Sequence, residues 1–176
     1  MASDVEWLRG LVRDIPDHPQ PGVVFKDITP LLADPKGLAA SVEAMVERFA
    51  DARVDRVVGI EARGFIFGAP VAHAMGAGFV PVRKPGKLPW QTRGEEYALE
   101  YGTDRLEMHL DALARDHQVL IVDDVLATGG TAAATARLVE HAGATVVGLA
   151  FLIELEFLGG RAKLGMHDVQ SLLRYS

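Results

Sequence analysis

Length, composition and charge place the chain in one class of protein and exclude others. Its 176 residues, 49% of them hydrophobic, suffice for one well-filled core and leave little room for a second domain. It has no cysteine, which excludes a disulfide framework and a cysteine-ligated metal site. A net charge of -6 argues against a general nucleic-acid binder. We expect one domain over residues 1–176, in which any anionic ligand binds at a local cationic patch.

The sequence predicts neither a signal peptide nor a membrane partner. The first ten residues carry acids where a signal peptide needs positive charge and then an apolar core. The longest apolar run, Ala142–Ile153, is too short to span a bilayer and contains Thr145 and two glycines. We therefore expect a soluble, cytoplasmic protein.

Residues 1–34 are predicted to form a small N-terminal arm or hood. Ser3–Arg13 has the capping residue and apolar spacing of a short helix. Ile15–Pro21 is rich in proline and should be extended and stiff. Gly22–Asp27 then reads as a short extended segment that ends at Thr29-Pro30.

Strands and helices alternate along most of the remaining chain, with glycines at the junctions. This order is typical of a Rossmann-like parallel sheet flanked by helices, an α/β fold. The predicted helices are Pro35–Ala50, Ile66–Met75, one that follows Thr131 and a weak one at Leu155–Leu164. The predicted strands are Val54–Ile60, Phe79–Val82, Val119–Val122, Ala144–Ile153 and Val169–Tyr175.

One stretch breaks the alternation. Lys84–Glu95 combines prolines, glycines and three cations, which predicts a long exposed loop. Tyr97–Tyr101 and Arg105–His109 are predicted to pair as a hairpin. Residues 84–109 would then form a flexible lid that closes over a ligand.

The most informative stretch is Gln118–Thr131, which reads QVLIVDDVLATGGT. It predicts a buried strand, an acid pair, a glycine-rich turn and the start of a helix. The N–H groups at a helix start have no acceptor within the helix and lie at the positive end of its dipole. This turn is therefore a candidate phosphate site.

The acid pair, Asp123 and Asp124, must contact something other than the phosphate, because like charges repel. Vicinal sugar hydroxyls are suitable partners, so the pattern indicates a sugar phosphate. A helix cap or direct metal binding is the alternative. Neighbouring strand residues point to opposite faces, so both acids can reach one ribose only if the chain has already left extended geometry.

The motif V-D-D-V-L-A-T-G-G-T resembles the phosphoribosyl pyrophosphate signature of the type I phosphoribosyltransferases. Four further stretches are similar, in the same order, to the members of that family that act on adenine: residues 21–30, 61–65, 82–89 and 99–102. The resemblance implies a type I phosphoribosyltransferase fold. It also implies a homodimeric enzyme that joins adenine to phosphoribosyl pyrophosphate, giving AMP and pyrophosphate with Mg2+.

The resemblance also implies roles for individual residues. The ribose 5-phosphate would be held by Ala127, Thr128, Gly129, Gly130 and Thr131, and the ribose hydroxyls by Asp123 and Asp124. The pyrophosphate would be bound by Arg63, Arg83, Lys84 and Lys87. The adenine would be bound by Val24, Phe25, Lys26 and Arg63. Lys26 stands where the family usually has arginine, and lysine cannot supply a planar, bidentate fork.

Glu100 is the predicted catalytic residue. Loss of pyrophosphate from C1 of the ribose gives a transition state like an oxocarbenium ion, and the attacking purine must shed a proton. A carboxylate at the ring nitrogen can accept that proton. Mg2+ would arrive with the pyrophosphate and keep most of its waters, so no direct protein ligand for the metal is predicted.

Two alternatives to adenine transfer remain at this point. The same sugar-phosphate pocket would suit a regulatory protein that senses phosphoribosyl pyrophosphate, although the acidic chain lacks an added basic helical domain for nucleic acid. The other alternative is the same transferase acting on another purine.

Overall fold

A computed structural model describes residues 5–98 and 102–176. Its centre is a five-stranded sheet in which all neighbouring strands are parallel. The strand order is β4-β3-β7-β8-β9, with β3 at Arg56–Ile60, β4 at Gly78–Val82, β7 at Gln118–Leu126, β8 at Thr145–Leu155 and β9 at Val169–Tyr175. The predicted α/β class with a Rossmann-like parallel sheet is confirmed.

Helices cover both faces of this sheet. The longest are α2 at Pro35–Arg48, α3 at Gly64–Met75 and α4 at Gly130–His141. Strand β7 is buried on both sides, with Val119 and Ile121 in one hydrophobic cluster and Leu120 and Val122 in the other. This double burial explains why β7 begins as a continuous apolar run rather than an alternating one.

The N-terminal region holds a second, small sheet. Its strands are β1 at Arg13–Ile15 and β2 at Phe25–Asp27, which pair in antiparallel fashion. The predicted helix at Ser3–Arg13 is a 3-10 helix at Glu6–Leu11 in the described part. The sequence reading missed α1 at Thr29–Ala33, where Pro30 lies in the first turn and so starts a helix instead of ending a segment.

The third sheet is a hairpin of β5 at Thr92–Ala98 and β6 at Thr103–His109. The prediction placed Thr92–Glu95 in a loop and was wrong there. Gly94 pairs with Glu107, and the guanidinium of Arg105 packs where a side chain at Gly94 would lie. Cross-strand packing thus overrides the weak strand propensity of this stretch.

The predicted weak helix at Leu155–Leu164 is two 3-10 helices, at Glu156–Leu158 and Gly160–Leu164. Gly159 between them has a φ of 64°. Across residues 5–98 and 102–176, no helix combines the length and apolar character needed to cross a membrane.

Candidate active site

The candidate site lies where the order of the parallel sheet reverses. After β3 the chain adds β4 on one side of it, and it later returns to add β7 on the other side. The connections that follow β3 and β7 therefore run in opposite directions and leave a crevice between them. Open parallel sheets bind ligands in such a crevice. A cavity of about 650 Å3 lies there. It is lined by Val23, Val24, Phe25, Lys26, Glu61, Ala62, Arg63, Lys84, Asp123, Asp124, Val125, Ala127, Thr131 and Leu155.

A smaller cavity, of about 80 Å3, lies over the turn that begins α4. It is lined by Asp123 and residues 125–132, which include all five predicted phosphate residues. Gly129 precedes the helix with a φ of 77°, a conformation that glycine adopts without strain. The unpaired N–H groups of the first helical turn make this cavity suited to a small anion.

The two cavities are contiguous. Asp123, Val125, Ala127 and Thr131 line both of them. A ligand with a phosphate in the smaller cavity can therefore extend past Asp123 into the larger one. This shape fits a phosphorylated sugar better than an isolated anion.

The acid pair lies inside β7, which continues to Leu126. The prediction that the strand ends at Val122 was wrong, since pairs such as Asp123 with Phe151 and Val125 with Ile153 extend the ladder to β8. Both acids nevertheless line the larger cavity. Asp124 is only 5% exposed, and its backbone N–H donates to Oδ1 of Asp123 over 2.9 Å.

Electrostatics separate the two acids. Burial, and then the neighbouring charge of Asp124, raise the pKa of Asp123 well above its usual range. The start of α3 closes over this carboxylate, because a Cβ at Gly64 would lie 2.8 Å from its Oδ1. Asp124 instead forms an ion pair with Arg63, with 2.5 Å between Oδ2 and Nε.

Arg63 links the acid pair to the predicted base-binding residues. It lies just before α3, and its guanidinium carbon is 5.4 Å from the centroid of the Phe25 ring. That distance is within the range of a cation–π interaction. Val24, Phe25 and Lys26 line the same cavity, so the structure brings the four predicted adenine-binding residues together.

The side chain of Lys26 has structural partners. Its Nζ lies 2.6 Å from Oδ1 of Asp14 and 4.2 Å from the centroid of the Tyr175 ring. The guanidinium of Arg9 lies 4.5 Å from the same ring. Tyr175 of the last strand thus contacts cations from two parts of the N-terminal region, and it ties that region to the sheet.

The predicted pyrophosphate cations divide into two groups. Arg63 and Lys84 line the larger cavity, whereas Arg83 and Lys87 are not among its lining residues. Lys84 donates to the Tyr97 hydroxyl over 2.9 Å and forms an ion pair with Asp104. Burial lowers the pKa of Lys84, but the bonds to Asp104 and Tyr97 outweigh burial and raise it above its ordinary value.

Glu61 organises the start of the cationic loop, and the sequence reading gave it no role. Its carboxylate accepts from Nε of Arg83 over 3.2 Å and from the backbone N–H of Lys84 over 2.9 Å. Burial raises the pKa of Glu61, yet these bonds from Lys84 and Arg83 bring it below its ordinary value. The position of Glu61 directly after a predicted buried strand was the available signal.

Glu100, the predicted catalytic residue, lies outside the described residues.

Two other residues belong to the site although the sequence did not indicate them. Leu155 lines the larger cavity and Gly160 contacts the phosphate turn, and the sequence reading assigned neither to the site. The Gly159-Gly160 pair was visible only as an interruption of a helical pattern.

Within residues 5–98 and 102–176, no group of three or more histidine or acidic side chains is arranged to hold a metal ion. The larger cavity does contain two adjacent carboxylates, Asp123 and Asp124. Two carboxylates suit a Mg2+ ion that keeps waters and binds mainly through the oxygens of a phosphorylated ligand. The described residues therefore fit a metal that enters with its substrate.

Comparison with known proteins agrees with this geometry. The family model described as "Phosphoribosyl transferase domain" matches residues 27–169. Adenine phosphoribosyltransferase from Acidothermus cellulolyticus is 61% identical over 169 residues, which is 96% of each chain. The protein of the same name from Anaeromyxobacter sp. is 55% identical over 175 residues, which is 99% of each chain.

Solved structures extend the likeness to three dimensions. Adenine phosphoribosyltransferase from Rhodothermus marinus is 55% identical, with a TM-score of 0.93 over 99% of this chain and 100% of that one. The enzyme from Saccharomyces cerevisiae, solved in complex with D-2,5-dideoxy-2,5-imino-altritol 1,6-bisphosphate and adenine, is 40% identical. Its TM-score is 0.92 over 98% of this chain and 100% of that one. The chain therefore belongs to the phosphoribosyltransferase family and, within it, to the adenine phosphoribosyltransferases.

Proposed function

We propose that this chain transfers the 5-phosphoribosyl group from phosphoribosyl pyrophosphate to adenine, giving AMP and pyrophosphate. The observation that carries the proposal is the pair of contiguous cavities joined at Asp123. One has the size and backbone polarity for a phosphate, and the other has room for a sugar, a diphosphate and a base. The full-length likeness to adenine phosphoribosyltransferases supports the choice of reaction.

The sugar phosphate is held by the turn and the acid pair. The backbone N–H groups at the start of α4, with the hydroxyls of Thr128 and Thr131, donate to the 5-phosphate. Asp123 and Asp124 contact the ribose hydroxyls, and a carboxylate accepts strongly from an O–H donor. These contacts fix C1 of the ribose in the larger cavity, where the base can reach it.

The base binds against Phe25, with Val24 and the backbone of Lys26 beside it, since the Lys26 side chain contacts Asp14 and Tyr175. Arg63 borders both the base and the diphosphate. A guanidinium has five N–H groups, so the contact of Nε with Asp124 does not exhaust its capacity. Lys84 also lines the larger cavity and supplies further positive charge to the diphosphate. Arg83 and Lys87 would reach the diphosphate only after a movement of the loop that carries them.

The reaction exchanges one bond at C1 for another. The bond from C1 to the diphosphate oxygen breaks, and its electron pair leaves with pyrophosphate. A lone pair of a purine ring nitrogen forms the new bond to C1. Glu100 accepts the proton that the ring sheds, a step that contributes typically ~10²- to 10⁴-fold. Mg2+, when bound with the diphosphate, offsets the negative charge that develops on the leaving group.

The lid, the assembly and the compartment are part of the same proposal. Residues 84–109 close over the diphosphate, and residues 1–34 cover the base. The chain acts as a homodimer in the cytoplasm; the absence of cysteine suits a reducing compartment. Sedimentation at micromolar concentration tests the assembly, and a monomeric mass would refute it.

The decisive test is a product assay. The purified protein is incubated with phosphoribosyl pyrophosphate, Mg2+ and, separately, adenine, hypoxanthine, guanine or xanthine, and the nucleotides are separated. We expect AMP from adenine and little product from the other bases. No AMP from adenine would refute the proposal. Product from another base would favour a different purine, and tight binding without product would favour a sensor.

A further inference from the structure

The phosphate turn rests directly on the backbone of a distant segment. Gly129, in the turn, and Gly160, at the start of the last 3-10 helix, face each other without side chains between them. A Cβ on Gly160 would lie 2.8 Å from the backbone nitrogen of Gly129 and still closer to the carbonyl oxygen of Ala127. A Cβ on Gly129 would overlap the Gly160 carbonyl in the same way. Neither glycine can be enlarged unless the turn moves.

Gly160 lacks the usual conformational reason for glycine. Its φ lies outside the left-handed region, so the backbone there would accept an L-residue. It is buried against the turn, whereas Gly159 beside it is exposed. The contact with Ala127 and Gly129, and not backbone strain, is therefore what excludes a side chain at Gly160.

An ion pair fixes the segment that carries Gly160. Arg161 donates through Nε to Oε1 of Glu154 over 2.9 Å, and a second guanidinium nitrogen lies 2.5 Å from Oε2. The remaining terminal nitrogen donates to the Val169 carbonyl over 2.8 Å, and the Ser171 hydroxyl donates to Glu154 over 2.8 Å. Glu154 is 4% exposed and the Arg161 side chain is 41% exposed, so the carboxylate side of this forked pair is the side shielded from solvent.

The network is anchored beside the strand end from which the phosphate turn leaves. Glu154 lies in β8 opposite Leu126, the last residue of β7. The bond from Arg161, followed by that from Ser171, holds the pKa of Glu154 below its ordinary value, so its carboxylate stays charged at neutral pH. Glu154 and the phosphate turn are therefore both attached to the same end of the β7–β8 strand pair.

We propose that Gly160 and the Arg161–Glu154 ion pair are positioning residues that set the place of the phosphate turn. The pair holds the 160–164 segment against the sheet, and the Gly160 backbone packs against Ala127 and Gly129. The turn then presents its N–H groups to the ligand without having to reorganise. The inference relies on the proposed function for the identity of that ligand, the ribose 5-phosphate group.

The test compares two single-methyl additions at neighbouring glycines. Gly160→Ala adds a Cβ into the phosphate turn, and Gly159→Ala adds one into open space, although its φ of 64° makes the second change mildly strained. Ribose 5-phosphate is titrated into each protein by calorimetry, and thermal unfolding is recorded. We expect Gly160→Ala to bind about ten- to a hundredfold more weakly, as for the loss of one or two bonds to a charged group. Gly159→Ala should bind as the wild type does.

A second pair of variants covers the case in which Gly160→Ala does not fold. Arg161→Lys keeps the charge but loses the fork. Arg53→Lys is its matched control, because Arg53 also contacts a carboxylate, that of Asp55, on the exposed surface. We expect Arg161→Lys to raise KM for phosphoribosyl pyrophosphate severalfold while KM for adenine stays within twofold. Arg53→Lys should change neither.

The outcomes separate this inference from the proposed function. Wild-type affinity for ribose 5-phosphate in Gly160→Ala would overturn it. So would equal weakening in Gly159→Ala, which would indicate general destabilisation, or an equal rise in both KM values for Arg161→Lys. Absence of AMP formation by the wild type would refute the proposed reaction instead. The calorimetric comparison of Gly160→Ala with Gly159→Ala would still test whether Gly160 positions the phosphate turn.

Discussion

Replacing Asp124 with asparagine tests the proposed ribose contact most directly, because the change keeps the shape of the side chain and removes its charge. Asp124 is buried, lines the larger cavity and contacts Arg63. A hydrogen bond to a charged group contributes about 1.5–3 kcal/mol. The affinity for phosphoribosyl pyrophosphate should therefore fall about 10- to 150-fold.

The same substitution should cost little stability. The Arg63 side chain is 46% exposed, so it stays solvated when its partner is neutral, and we expect a loss of about 1 kcal/mol or less. The change also removes the charge that, after burial, raises the pKa of Asp123, and this relief offsets part of the loss. For a chain of this length, 1 kcal/mol corresponds to a shift in Tm of about 2–4 °C.

The assay measures affinity for phosphoribosyl pyrophosphate by calorimetry and Tm by thermal unfolding at neutral pH. Asp51→Asn is the control, since Asp51 is an exposed acid that does not line either cavity. Wild-type affinity in Asp124→Asn would refute the contact with the ribose. A fall in Tm far beyond 4 °C would refute the reasoning about charge.

Three further predictions follow from other parts of the structure. Glu100→Gln should keep substrate binding but lose most of kcat, and wild-type turnover would remove Glu100 from catalysis. Lys26→Met should lose about 1–2 kcal/mol of stability, because it removes the contacts of Nζ with Asp14 and Tyr175. The KM for adenine should stay within twofold of the wild-type value. A large rise in that KM would show that the Lys26 side chain contacts adenine directly. Because the pKa of Glu154 is lowered in the folded protein, its charged carboxylate stabilises the fold above the ordinary carboxyl pKa, and this stabilisation is lost as pH falls through the lowered value. Glu154→Gln should therefore make Tm fall less steeply below about pH 4.5. A profile of Tm against pH identical to that of the wild type would contradict this.

The central strand of the sheet could be predicted because it is buried on both faces. Val119–Val122 is apolar at every position for that reason, and Val169–Tyr175 is the strand that the sequence predicts. The far end of β7 could not be predicted, because two aspartates have poor strand propensity and their ladder depends on the pairing with β8. Tertiary pairing thus decided the place of the acid pair.

The phosphate turn was visible locally, but its surroundings were not. The order of strand, acids, glycines and helix lies within fourteen consecutive residues, so Gly129 and its neighbours could be identified from the sequence. The contact with Gly160 joins residues 31 positions apart, and the bond of Lys84 to Asp104 joins residues 20 apart. Such pairs depend on how the chain folds, and no local pattern predicts them.

The structure also resolves a conflict that the sequence posed, namely two carboxylates beside a phosphate site in a chain of net charge -6. Arg63 pairs with Asp124, and burial with the neighbouring acid raises the pKa of Asp123, which favours its neutral form. Both effects make the local field less negative than the sequence suggests. On the proposed function, the sugar phosphate would meet the positive end of α4 without the full repulsion of two charges, while its hydroxyls would still find two oxygen acceptors. In that proposal the two acids can serve a ribose beside a phosphate because Arg63 and the start of α3 lie against them.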